Sequence, residues 1–345
     1  MRPLDDILAH VRAALERDDV TGAVAIIEGL RPADQADLFA DLHDEHRITL
    51  LPELQPSDSA DILERLENRE VADLAGQIAT DNLIRIVEEM APDEAADLLG
   101  DILPARAEAI LAGLDDPDKI RPLLLYPDDS AGGLMTTEFV ALHPRMTAED
   151  AIAAIRAWRP DSETIYYLYV ISDQRRLIGV VSLRELVVAD PATLLADFMH
   201  PDVVAIPVGA DQEECARIML REDLLALPVV TPDGALVGVV TIDDVADVLV
   251  EEATEDLQRF GGAEPLGRTY LDSPVLTITR KRVVWLLLLF VTESLTGTVM
   301  RLFSDELESV VALAFFVPLL IGTGGNAGTQ TTSTIIRALA TGEIA

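Results

Sequence analysis

Through the first 125 residues one phrase recurs in which a proline and nearby acids precede a leucine-rich turn. It reads Pro32-Ala-Asp-Gln-Ala-Asp-Leu, then Pro56-Ser-Asp-Ser-Ala-Asp-Ile-Leu, then Pro92-Asp-Glu-Ala-Ala-Asp-Leu-Leu. Each instance predicts a helix start: proline loses nothing in the first turn, where its missing N–H has no helical partner, and the acids favour the positive end of the helix dipole. Leucines follow at helical spacing, so the segment predicts short helices stacked into a superhelix, each burying its apolar face on its neighbours. From Asp129 the period changes. Phe139 and its neighbours precede a helix at Ala148 to Trp158, strands Tyr166 to Ile171 and Leu177 to Ser182, and a helix at Leu183 to Val188. The order then repeats, with a helix around Gln212 to Arg221, strands Ala226 to Val230 and Leu236 to Thr241, and a helix from Asp243.

Two copies of Gly-Val-Val-(Ser/Thr), each followed by an Arg-Glu or Asp-Asp helix start, resemble a tandem pair of CBS domains, divided at 129–192 and 193–248. The resemblance implies clefts that take adenosine nucleotides, with Tyr167, Arg184 and Glu185 at cleft positions for ATP. Arg184 suits a phosphate and Glu185 a ribose hydroxyl; exposed charges on an ordinary helix are the plainer alternative.

The helix from Asp243 outruns the second CBS unit to about Phe260. Asp243, Asp244, Asp247, Glu251, Glu252, Glu255 and Asp256 recur on nearby faces, with Val245, Val248, Leu249 and Leu257 on another. Like charges three or four residues apart cost a helix a few tenths of a kcal/mol per pair. A hard divalent cation would offset them, since Mg2+ takes carboxylate oxygens and keeps several waters; a solvated acidic face is the alternative. Gly261-Gly262 ends the helix, and Pro265, Gly267 and Pro274 mark a linker within 249–276.

Two apolar segments follow, at about 283–303 and 310–337, each long enough to span a bilayer. Arg280-Lys-Arg and Arg337 flank them on the side where basic residues favour the cytoplasm, and the acidic Ser304-Asp-Glu-Leu-Glu-Ser joins them outside. The second segment places Gly322-Thr-Gly-Gly-Asn-Ala-Gly-Thr-Gln where lipid-facing residues are expected. Backbone polar groups at that depth must be satisfied internally or face water, which points to a pore lined by Gly325, Asn326 and Gln330; close helix packing also uses glycine. Glu293 lies near mid-membrane, where an ionisable group faces a cavity or a partner.

Charge narrows the partners. The chain's 345 residues hold 61 Asp and Glu against 26 Lys and Arg, a formal net charge of −35. That excludes nucleic acid and favours cations. Cys215 stands alone, so no internal disulfide forms, and it suits a small buried hydrophobe. Met1 to His10 has acids and no apolar core of a signal peptide, which keeps the amino-terminal part cytoplasmic. No phosphate-binding glycine loop, nucleophile elbow or histidine metal motif is present, so an enzyme is not expected.

The whole arrangement, with Pro318-Leu-Leu-Ile-Gly-Thr-Gly-Gly-Asn-Ala-Gly-Thr-Gln as its most specific motif, resembles the MgtE magnesium transporters over essentially the entire chain. The implied architecture is multidomain: an α-helical superhelical domain over 1–128, α/β tandem CBS domains over 129–248, an acidic connecting helix, and α-helical transmembrane segments over 277–345. The resemblance implies a homodimeric Mg2+ channel of the bacterial inner membrane whose cytosolic acids bind Mg2+ and close the pore, with ATP as modulator. Matched residue by residue, Asp93 and Asp97 face the CBS part, Asp211, Glu213, Asp223 and Asp244 are CBS acids, Glu252, Glu255 and Asp256 belong to the connecting helix, and Asn326 lines the pore. The family pattern has five membrane helices and this sequence runs to Ala345 after two, so it reads as a fragment of a transporter or as a short form. The other reading is a membrane-anchored Mg2+ or nucleotide sensor without transport.

Overall fold

A computed structural model of the chain describes residues 4–66, 68–158, 165–262, 264, 266 and 274–340; Pro265 and Gly267 of the expected linker lie outside the described residues. The chain divides into two units, Met1–Val250 and Glu251–Ala345.

The first unit opens with short helices: α1 (Leu4–Leu15), α2 (Val20–Ile27), α3 (Pro32–Ala40), α4 (Asp44–Leu50), α5 (Pro56–Leu63), α6 (Asn68–Ala75), α7 (Thr80–Val87), α8 (Pro92–Asp101) and α9 (Pro104–Leu111). Pro32, Pro56 and Pro92 each open a helix behind an extended N-cap residue or one close to it, as the phrase predicts. Each helix packs on those one or two places along, α3 on α5, α5 on α7, α6 on α8 and α7 on α9.

What ties the stack together is a repeated latch. Glu28, Glu64 and Glu88 are the C-cap residues of α2, α5 and α7. Each carboxylate accepts a bond from a backbone N–H 27 residues ahead: Gln55 at 3.3 Å, Ala91 at 2.8 Å and Asp115 at 3.2 Å. Gln55 and Ala91 are N-caps of α5 and α8, and neither supplies a side-chain cap of its own. The glutamate of an earlier helix therefore does what a local Ser or Asp does elsewhere, satisfying an N–H at the helix entry. Arginines act at the opposite pole. Buried Arg47 donates to the carbonyl of Phe39 at 2.7 Å and to that of Ala40, and Arg106 to the carbonyls of Gly76 and Ile78.

Next come two copies of one α/β unit. The first has β1 (Ala141–Leu142), α10 (Ala148–Trp158), β2 (Tyr167–Ile171), β3 (Leu177–Ser182) and α11 (Leu183–Val188); a short α12 (Leu195–Phe198) leads to the second, with β4 (Ile206–Pro207), α13 (Gln212–Glu222), β5 (Ala226–Val230), β6 (Leu236–Thr241) and α14 (Ile242–Phe260). In each sheet a short parallel strand flanks an antiparallel hairpin. Tyr167 pairs with Ser182 and Ala226 with Thr241, so the second copy follows the first by 59 positions. The bulge follows too, at Val170/Ile171 and at Val229/Val230.

The copies are interlocked by exchanged segments. Thr136, ahead of the first copy, bridges Val239 of the second, while His200, ahead of the second, bridges Val180 of the first. Gly179 and Gly238 make the exchange possible, because a Cβ at either would strike Met199 or Met135 on the incoming segment. One apolar core runs from the helical stack into the second copy, through Leu99, Leu123, Met135, Cys215, Leu227 and Val245, whereas the first copy has its own around Leu168, Val181 and Leu186.

The second unit holds the end of α14, then α15 (Val275–Leu302), α16 (Ser304–Ser309) and α17 (Val311–Ala340). Among the described residues one helix, Val275–Leu302, is long and apolar enough to cross a membrane. It starts ahead of the expected 283, since Pro274 is its N-cap and no breaker separates Thr277 and Arg280 from the apolar run. Thr292, Ser294 and Thr296, beside Glu293, donate to carbonyls three or four residues back. α17 runs helically through Pro318 and the glycine-rich motif.

Candidate functional site

Acids of the helical stack meet acids of the second CBS copy. Asp93, in the first turn of α8, is only 9 % exposed, and its Oδ1 has no hydrogen-bond partner. Burial pushes its carboxyl well above the usual carboxylate range, and the nearby charge of Asp244 on α14 pushes it further. Glu94 beside it rises to about 8, chiefly through burial, then through Asp97, Asp244, Glu64 and Asp247. Asp244 rises to about 6, again chiefly by burial, although Thr241 Oγ1 donates to its Oδ2 at 2.5 Å.

Two elements that repel electrostatically are thus held in apposition by the apolar core they share. The donor set is all carboxylate oxygen, which fits a hard divalent ion, and Asp93 Oδ1 is buried with no hydrogen-bond partner. Among the described residues no three acidic or histidine groups converge tightly enough to hold one bare ion. An ion here would keep much of its water shell and touch one or two carboxylates, the usual habit of Mg2+.

Of the acids expected at this surface, the structure brings together Asp93, Asp97 and Asp244. Asp211 is instead the N-cap of α13, its carboxylate accepting from Glu213 N at 2.9 Å, and Glu213 is exposed in the first turn. Asp223 is the C-cap of the same helix, in the left-handed region at φ 52°. Glu94 and Asp247, which belong to the cluster electrostatically, stand in the sequence as ordinary first-turn and surface acids; the signal that could have found Glu94 is its i, i+3 placement with Asp97 on α8. Of the connecting-helix acids, Glu255 pairs with Arg259; Glu252 and Asp256 lie beside it on α14, both partly buried.

The second site is the cleft of the first CBS copy. Tyr167 opens β2, opposite Ser182 in register, and Arg184 and Glu185 lie in the first turn of α11. Ser182 and Glu185 form a reciprocal capping box: Glu185 N donates to Ser182 Oγ at 3.2 Å, while Glu185 Oε2 accepts from Ser182 N at 3.1 Å and Oγ at 2.8 Å. His200 Nε2 lies 2.7 Å from Glu185 Oε1. That bond first, with Ser182 assisting, holds the Glu185 carboxyl below its ordinary range. Arg184 is exposed and available to an anion.

The expected pore residues Gly325, Asn326 and Gln330 are exposed on α17 and Glu293 on α15. Gly322, Gly324, Gly325 and Gly328 have open space where a Cβ would stand, so nothing within the single chain demands glycine there.

The family model described as the MgtE intracellular N domain matches residues 30–129, and the CBS domain model matches residues 131–191 and 195–251. A protein named magnesium transporter MgtE from Thermus thermophilus is 41% identical over 99% of this chain and 77% of its own length. The MgtE of Bacillus subtilis is 38% identical over 65% of this chain, a match spanning 49% of that protein. Among solved structures, the cytosolic domain of the Mg2+ channel MgtE in complex with ATP is 39% identical with a TM-score of 0.66, covering 70% of this chain and 99% of that one. The soluble part of a magnesium transporter is 32% identical with a TM-score of 0.64, covering 73% of this chain and all of that one. With its helical N domain and CBS pair matched in this way, the chain belongs to the MgtE family of magnesium transporters.

Proposed function

We propose that this chain carries the Mg2+-sensing and first membrane-spanning parts of a homodimeric Mg2+ channel in a bacterial inner membrane, and that cytosolic Mg2+ closes the channel by joining the helical stack to the second CBS copy. The observation that carries this reading is Asp93, a buried carboxylate whose Oδ1 has no partner and whose charge opposes that of Asp244. When Mg2+ is scarce, Asp93, Glu94, Asp97, Asp244 and Asp247 repel and the two surfaces separate; when it is abundant, the ion bridges them. Ion concentration thereby selects between two arrangements, in proportion to its affinity for one over the other. Glu252, Glu255 and Asp256, on the later turns of α14, are further carboxylates for Mg2+. Asn326, Gly325 and Gln330 line the pore in the assembled dimer, with Glu293 as a further cation contact. Their amide and carbonyl groups suit an ion that gives up water reluctantly. ATP modulates the switch through Tyr167, Arg184 and Glu185.

Limited proteolysis of the full chain across a Mg2+ titration tests the switch, with Ca2+ and high monovalent salt as controls. Protection of the segment joining α9 to β1 that saturates in Mg2+ and is not reproduced by salt supports an ion bridge. Equal protection by monovalent salt would mean simple charge screening and would end the sensing role of the cluster.

A further inference from the structure

The interlocking of the two CBS copies puts His200 and Thr136 at the same place in two equivalent frames. His200 exchanges backbone bonds with Val180 at 2.9 and 3.0 Å, and Thr136 exchanges them with Val239 at 2.9 and 3.0 Å. Val239 follows Val180 by the same 59 positions that separate the two hairpins. Each residue therefore looks onto the first turn of the helix after its hairpin, Glu185 in one copy and Asp244 in the other. In the second copy Thr136 Oγ1 turns away, accepting from Glu138 N at 3.3 Å, and Asp244 is left to Thr241. In the first copy the imidazole reaches the carboxylate directly.

This contact changes what the cleft can accept. A carboxylate offers about four acceptor directions. Ser182 takes two on Oε2 and His200 takes one on Oε1. One remains, whereas a ribose offers two adjacent hydroxyls. Among the described residues, Arg184 shares the first turn of α11 with Glu185, Tyr167 stands opposite Ser182, the Tyr166 carbonyl accepts from Leu183 N, and Asp197 and Asp202 flank His200 in the sequence. Among side chains it is an imidazole whose charge ordinarily changes between pH 5 and 8.

We propose that His200 is the positioning residue of the first CBS cleft, holding Glu185 against ribose while protonated and releasing one of its oxygens to a ribose hydroxyl once neutral. The idea rests on reading that cleft as a nucleotide site. A charge-assisted bond is roughly twice as strong as a neutral one, so exchange for a sugar hydroxyl is favoured only after the proton leaves. Glu185, held below its ordinary range, stays ionised throughout. Thr136 can impose no such dependence on the second copy, because threonine does not titrate.

The test is equilibrium binding of adenosine, ATP and 2′-deoxy-ATP to the detergent-solubilised full chain at pH 6.0 and 8.0. Adenosine is the decisive probe because it has no phosphate for imidazolium to attract. Unaltered protein should bind adenosine about threefold to tenfold more tightly at pH 8.0. H200T, which installs the residue of the second copy, and H200Q should bind with no pH slope, and the preference for ATP over 2′-deoxy-ATP should widen in H200T. A slope retained in both variants, or absent from the unaltered protein while nucleotides still bind, overturns the role of His200 alone. Absence of binding by every ligand at both pH values overturns the nucleotide site, and His200's role with it.

Discussion

The two CBS copies share a strand register, a bulge and a swapped segment, yet they present opposite chemistry at matched positions. Where the first has Tyr167, Arg184, Glu185 and His200, the second has Ala226, Asp243, Asp244 and Thr136. The first combination joins an aromatic ring, a guanidinium and a carboxylate, groups whose chemistry suits a base, a phosphate and a sugar, as in the nucleotide site proposed above. The second has neither the ring, the guanidinium nor the imidazole; Asp243 stands where Arg184 does, and Asp244, in the place of Glu185, acts on Asp93 and Glu94 of the helical stack. The two copies share one backbone frame, and in the function proposed above four side chains decide whether it receives an anion or a cation.

The strongest break in that comparison removes the charges that make the second copy a cation surface. The double variant D93N/D244N should lose all Mg2+-dependent protection from protease and remain compact without Mg2+. Neutral amides no longer repel, and the apolar core shared through Leu99, Met135 and Val245 still joins the surfaces. Removing a buried unpaired charge is worth several kcal/mol, enough to shift a two-state balance almost fully to one side. If the variant stays open without Mg2+, repulsion is not what separates the stack from the CBS pair.

Acid should imitate the same change. Glu94, ordinarily near 4.5, is raised to about 8, and Asp93 is raised with it, so the folded unit holds protons that the unfolded chain has already released. Stability contributed by those protons is present at low pH and falls as pH rises from about 5 through about 8. Without divalent ions the first unit should therefore be more protease-resistant at pH 5.5 than at pH 8.0. Saturating Mg2+ should flatten that slope, and so should E94Q, each by removing the need for a proton. A slope of the opposite sign would mean that the acids are hydrated in the folded protein.

Converting the first copy toward the second gives the next effect in size. R184D should weaken ATP binding about tenfold to a hundredfold, the loss of a charge-assisted phosphate contact together with new repulsion, while leaving adenosine nearly unchanged. Equal losses for both ligands would place Arg184 in the support of the cleft rather than at the phosphate.

How much of this was legible in the sequence depended on the range over which each residue acts. The proline phrase acts within one turn, and it marked α3, α5 and α8 directly. The hairpins of both CBS copies were legible for the same reason, from alternation and Gly-Val-Val repeats. Glu28, Glu64 and Glu88 leave no signal in the sequence, because their partners are backbone groups 27 residues away and carry no side-chain signature. Asp211 has a local task that the sequence does not reveal, its carboxylate capping α13, while Asp223 ends the same helix through its backbone N–H. The segment exchange that brings His200 to Glu185 depends on the fold alone, although Gly179 and Gly238 leave a trace of it.

The smallest prediction tests whether the shared frame is equally at ease in both copies. The hairpin turn of the first copy puts Arg175 at φ 60°, while the second has Gly234 at φ 80° at the matched position. The turns face each other, Leu236 N donating to the Arg175 carbonyl and Leu177 N to that of Gly234. A side chain in the left-handed region costs roughly 1–2 kcal/mol, which glycine avoids, but glycine gives back about 0.4–1 kcal/mol through the freedom it adds to the unfolded chain. R175G should therefore stabilise the first unit by about 0.5–1 kcal/mol, and G234R should destabilise it by a similar or larger amount. Denaturant titration of both variants reads the pair. Because the two effects arise at matched positions, opposite signs identify backbone strain, whereas destabilisation by both would assign Arg175 a contact that outweighs its strained conformation.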